Sequence, residues 1–148
     1  MIKVELLNVD ETIVLSSHSA DITIAQSFIG DVRISSGASE VLISAVPTVW
    51  VLMELLKETF YATVTKRENV LAKMPEDERA IRITSDGVSM EWSIFGTSMR
   101  GKLCDLQEMF ELLTSFVRKY RGFFSKSDLF IGSFLVDYAI RELESRRF

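Results

Sequence analysis

The stretch AIRITSDGVSMEWSIF, residues 80 to 95, carries the clearest local signal in this chain and sets the class of its fold. Asp86-Gly87 is a preferred pair for a tight hairpin turn, because both central positions tolerate a positive φ. On either side of it the residues alternate. Ile81, Ile83, Val88, Met90, Trp92 and Ile94 fall on one face, while Arg82, Thr84, Ser89, Glu91 and Ser93 fall on the other. The pattern predicts two antiparallel strands whose apolar face packs on another layer.

Immediately downstream, Gly96 to Lys102 spells G-x-x-x-x-G-K, most of the signature of a phosphate-binding loop. Its surroundings fit in part, since a predicted strand precedes it and a predicted helix follows. Three features oppose the nucleotide reading. Leu103 stands where Ser or Thr would hold Mg²⁺, and the Asp105 carboxylate would occupy the positive helix end that a phosphate needs. The 46 residues after Lys102 also contain only helical patterns, with no later strand to carry a metal-binding acid. The stretch therefore reads as a plain strand-to-helix loop, with Arg100 and Lys102 as exposed cations and candidates for weak anion contact.

The last third reads as helical. Asp105 with Glu108 three residues on matches a capping box, and Leu106, Met109, Phe110, Leu113, Phe116, Val117 and Tyr120 follow at helical spacing. Lys119, Arg121 and Gly122 suit a helix end. Ser125 and Asp128 offer a second cap, opening a helix to about Arg146 and completing an αα-hairpin. In that second helix Phe130, Phe134 and Tyr138 form a stripe that Ile131, Leu135 and Ile140 widen until few polar positions remain. A helix so apolar must be covered on nearly all sides, by its own core or by another protein.

Upstream, apolar residues cluster at Val4 and Leu6, Ile13 and Leu15, Ile22 and Ile24, Val32 and Ile34, and Val41 and Ile43. IVLSSHSADITI (13 to 24) aligns without gaps to VRISSGASEVLI (32 to 43), as two successive hairpins would, with turns near His18-Ser19-Ala20 and Gly37-Ala38-Ser39. A four- or five-stranded meander is the economical reading. An alternative remains open in which 20 to 34 is a helix, because Ile22, Ala25, Ile29 and Val32 also fit a helical stripe. Pro47 marks the first turn of a central helix, with Val49, Leu52, Met53, Leu56 and Phe60 on one face and Trp50, Leu55 and Tyr61 widening it. The charged stretch 66 to 79 reads as a solvated connection with at most one helical turn.

Composition supports these readings. The chain has 148 residues, 47% of them hydrophobic, and only two prolines. That suits one α+β domain spanning 1 to 148 with a well-filled core. The net charge of −4 disfavours nucleic acid as the main partner. Residues 1 to 65 carry three basic and eight acidic side chains, against nine and seven in 97 to 148, a polarity that can orient a partner or a second copy. The longest apolar run, Val49 to Met53, is too short to cross a bilayer, and no signal-peptide pattern opens the chain. A cytoplasmic protein is expected, with no membrane partner.

Candidate catalytic groups are few. His18 is the only histidine, so no pair of histidines can hold a metal, and its alignment with Gly37 suggests an exposed turn position. Cys104, the single cysteine, excludes an internal disulfide and is expected to pack on Met109 as a hydrophobic staple. No catalytic, cofactor or metal residues are assigned, and an enzyme is disfavoured. The expected architecture is an antiparallel meander with a central helix and a C-terminal αα-hairpin. The expected function is non-catalytic protein–protein interaction, such as an adaptor, inhibitor or immunity-like role, including homo-oligomer formation. The alternative is a small-molecule-binding domain with a pocket between sheet and helices. Phe130, Phe134, Tyr138, Trp50 and Trp92 are the candidate interface or pocket residues.

Overall fold

The computed structural model describes residues 1–11, 28–65, 69–71 and 81–120. Its α+β architecture has two antiparallel sheets. Strands β1 (Lys3–Leu7), β2 (Ile29–Ser36) and β3 (Ser39–Pro47) form the first, in that order. Helix α1 (Thr48–Thr65) follows directly. The second sheet is β4 (Asn69–Leu71), β5 (Ile81–Ser85), β6 (Ser89–Ile94) and β7 (Thr97–Lys102), again in sequence order. A 3₁₀ turn at Leu103–Asp105 then leads into α2 (Leu106–Lys119). Helix α1 touches β2, β3, β4, β5 and α2, β7 touches β2 and β3, and α2 touches β1. The two sheets therefore share one continuous apolar core.

In the first sheet, Val4, Val32, Ile34 and Ile43 turn inward as the period of two requires, and Val46 joins them three residues after Ile43 because a bulge intervenes. Gly37 carries the positive φ of the β2–β3 turn, as expected. Strand β2 excludes the helical alternative for 29 to 34, and cross-strand pairing decides it. The expected strands and turn at 13 to 24, with His18, lie outside the described residues. Near the end of β3 the register slips, so that Ser44 and Ala45 together oppose Asp31. Ala45 takes φ 54° there, and its N–H donates to Asp31 Oδ1 at 3.1 Å. A left-handed alanine costs about 1 kcal/mol. Ala45→Gly is therefore expected to raise stability by roughly 0.5 kcal/mol after the extra chain entropy of glycine is subtracted. A lower melting temperature in the variant would refute this.

Pro47 ends β3 instead of opening the helix. At the end of an edge strand its missing N–H costs the ladder nothing, so the helix begins one residue later. Thr48 holds the junction by donating its Oγ1–H to the Phe28 carbonyl at 2.7 Å. Val49, Leu52, Met53 and Leu56 are buried as expected, and so is Leu55, whereas Trp50 and Phe60 are half-buried and Tyr61 is exposed. Thr59 and Thr63 are buried too. Their hydroxyls donate to the carbonyls one turn back, Leu55 and Thr59, at 2.6 and 2.8 Å.

The second sheet corrects three expectations. The charged stretch 66 to 79, read as a solvated connection, supplies strand β4, whose three residues pair with β5. Three residues are too few to show a period. Val88 is 71% exposed, outside the apolar face assigned to it. The Asp86 carboxylate accepts N–H groups from Val88 at 2.9 Å and Ser89 at 2.7 Å, closing a three-residue connection in which only Gly87 has positive φ. Those two donors hold the Asp86 carboxyl below its ordinary pKa. Finally, Thr97–Lys102, read as a loop, is a strand. Phe95 and Gly96 both take positive φ, 50° and 87°, forming the two-residue turn that Asp86-Gly87 was expected to form.

Helix α2 buries Leu106, Met109, Phe110 and Leu113, and Tyr120 beyond its end is buried as well. The expected second helix of the αα-hairpin lies outside the described residues. Tyr120 donates its phenolic O–H to Glu11, Lys119 Nζ reaches the same carboxylate at 3.1 Å, and Phe28 and Phe116 flank the Tyr120 ring. These donors, Tyr120 first, hold the Glu11 pKa below its ordinary 4.5. The clamp therefore contributes its stability above that value and loses it as pH falls through the lowered one. Melting temperatures of the wild type and Glu11→Gln are expected to differ near neutrality and converge in acid. A difference independent of pH would count against the clamp.

Candidate functional site

A cleft of about 960 Å³ opens where the Asp86 loop, the end of β7 and the start of the chain meet. Its charged lining comes from Asp86, Glu91, Arg100, Lys102 and Asp105. Glu91 and Arg100 sit directly opposite each other on β6 and β7, and Arg100 Nε donates to Glu91 Oε2 at 3.1 Å. Ser98 Oγ donates to the other oxygen of Glu91 at 3.1 Å. With Arg100 87% exposed, that ion pair contributes little stability. Lys102 is exposed beside it.

Asp105 does not cap α2 as expected. It has helical φ and ψ and makes no side-chain cap bond. Its Oδ2 instead accepts the backbone N–H groups of Lys102 and Ile2, both at 3.0 Å, tying the β7–α2 junction to the N-terminal segment. This geometry also accounts for the motif G-x-x-x-x-G-K. Gly96 serves the β6–β7 turn, and at Gly101 a Cβ would lie 2.7 Å from Asp105 Oδ2 and 2.9 Å from Ile2 Cγ1. Between them the backbone is extended and pairs with β6. Strand N–H groups point alternately to the two sides and do not converge on one anion.

The other singled-out residues are dispersed. Trp92 is fully buried in the core, Trp50 is half-buried on α1, and neither lines the cleft. Phe130, Phe134 and Tyr138 lie outside the described residues. Cys104, expected to pack on Met109, is exposed, whereas Met109 is buried. Among the described residues no group of three or more His, Cys, Asp or Glu is placed to hold a metal ion.

A second feature escaped the sequence reading: the edge of the first sheet at β3. In a hairpin with a two-residue turn the pair next to the turn, here Ser36–Ser39, is the hydrogen-bonded kind, and in this register the bonded positions of β3 then fall at Val41 and Ile43. The backbone groups of Glu40 and Leu42 consequently point away from β2. Among the described residues no strand pairs with that side. The side chains of Glu40, Leu42 and Ser44 are exposed on the outer face, Leu42 at 53%. Beside them Arg33 bridges Glu5 at 2.9 Å and Glu40 at 3.6 Å, and its guanidinium holds the Glu5 carboxyl below its ordinary pKa. The run Val41-Leu42-Ile43 hides this edge in the sequence, because three consecutive apolar residues mask the alternation that would mark Leu42 as outward.

Among the described residues no helix is long and apolar enough to cross a membrane. Compared with known proteins, the chain matches no family model, no curated protein and no solved structure.

Proposed function

We propose that this protein works by non-catalytic protein–protein interaction, with adaptor, inhibitor and immunity-like roles as instances, and that β3 is its contact edge. The observation that carries this reading is the exposed Leu42 on β3, beside backbone groups of Glu40 and Leu42 that hairpin geometry turns away from β2. An extended segment added there gains main-chain hydrogen bonds, and Leu42 offers an apolar contact. The carboxylates of the cleft serve structure instead of chemistry: Asp86 and Asp105 accept backbone N–H groups, and Glu91 is held by Arg100 and Ser98. Co-purification from the native host with wild type and Leu42→Lys, read by mass spectrometry, tests the proposal. A partner present with wild type and lost from the variant is expected. Equal recovery with both would count against β3.

A second reading is favoured by the cleft itself, whose hydroxyls from Thr84, Ser85 and Ser89 and cations from Arg100 and Lys102 suit a small polar ligand. It differs in place from the pocket expected between sheet and helices. A thermal-shift screen of metabolites and nucleotides separates it from the first. A ligand at 100 times its dissociation constant adds about 2.7 kcal/mol, and silence across the screen removes this reading. ATP or GTP with Mg²⁺ is expected to leave the melting temperature unmoved.

A further inference from the structure

We infer that the partner of β3 is a second copy of this chain, joined edge to edge about a two-fold axis at Leu42, so that two three-stranded sheets become one of six strands. The inference rests on the interaction reading above and specifies its occupant. An antiparallel pair centred on Leu42 sets Leu42 against Leu42, Val41 against Ile43, and Glu40 against Ser44 of the other copy. The bonding phase agrees with this register, because Glu40 and Leu42 point their backbone groups outward while Val41 and Ile43 are bonded to β2.

The side chains agree as well. The exposed Leu42 residues meet on the outer face at the axis, where they withdraw apolar surface from water. No like charges stand opposite each other, since the one acid on this part of the edge, Glu40, faces a serine and is already accompanied by Arg33. Symmetry requires self-complementarity of this kind, in which each residue's counterpart must accept it in return. The pairing is also bounded. The Ser44–Ala45 bulge and Pro47 break the regular edge at one end, and the Gly37-Ala38 turn ends it at the other, so the contact closes as a dimer. A contact this short belongs to the weak, transient class, so its measurement extends to about 1 mM protein.

Analytical ultracentrifugation of the full chain tests this with three substitutions at exposed positions. Leu42→Lys places two ammonium groups at the axis and is expected to raise the dimer dissociation constant at least roughly tenfold. Ser44→Lys sets a lysine opposite each Glu40 and is expected to tighten the dimer several-fold at low salt, whereas Ser44→Glu loosens it. Opposite shifts from these two Ser44 variants would support the register. Self-association that ignores all three substitutions would overturn it, as would a strict monomer at about 1 mM. The broader reading is judged separately by the co-purification above: a partner other than this chain, lost from Leu42→Lys, would leave β3 a contact edge while removing the second copy.

Discussion

Trp92→Ala is expected to lower the unfolding free energy by about 3–5 kcal/mol, the cost of deleting a large aromatic from a closed core. Trp92 has no exposed surface and lies on the inner face of β6, directly opposite Ile83 of β5 and Met99 of β7. Both neighbours are buried themselves, so the space left behind is bounded by strands that cannot collapse into it. The indole brings a burden too. Among the described residues its Nε1–H finds no acceptor, and an orphaned buried donor costs roughly 1–3 kcal/mol. Trp92→Phe keeps most of the ring contact and removes that donor, so it is expected to cost less than half as much as Trp92→Ala. Urea unfolding followed by far-UV circular dichroism measures both. Equal losses from the two variants would show that the orphaned donor is not a burden.

Gly30→Ala is expected to cost about 3 kcal/mol or to prevent folding, at the upper end of the overpacking range. The chain leaving β1 crosses directly over Gly30, where a Cβ would lie 2.7 Å from the Leu7 carbonyl oxygen, 2.9 Å from that of Asn8 and 3.0 Å from Val9 Cα. All three are backbone atoms, and none can rotate away. Their position is fixed on both sides: Leu7 pairs with Asp31, and Asp10 N–H donates to the Ile29 carbonyl at 2.8 Å. Gly87→Ala is a useful contrast, since open space surrounds Gly87 and only its positive φ resists the change, for about 1 kcal/mol. If Gly30→Ala proved the milder of the two, the close crossing over β2 would be wrong.

Neither effect is visible in the sequence, and the reason is the same for both. Trp92 could be assigned an inward face from alternation, but its lack of an acceptor among the described residues depends on which atoms surround the indole. Gly30 sits in an unremarkable segment, and only the return of β1 across it makes a methyl group intolerable.

Alternation placed Ile81, Ile83, Met90, Trp92 and Ile94 correctly, and helical spacing placed Val49, Leu52, Met53, Leu56, Leu106, Met109, Phe110 and Leu113. These are consequences of local geometry, because a strand repeats every two residues and a helix every 3.6 in whatever fold contains them. The α+β class followed from the same periods. What tertiary structure alone decided is where segments with weak local preference went. Asn69–Leu71 and Thr97–Lys102 became strands because β5 and β6 offered them edges. Asp105 abandoned the helix cap because the N–H groups of Ile2 and Lys102 came within its reach. The edge of β3, unpaired among the described residues, likewise exists only once the order of three strands is set. Sequence period identifies which face of an element is apolar; which element covers that face, and which edge is left open, is settled by contacts between residues far apart in the chain.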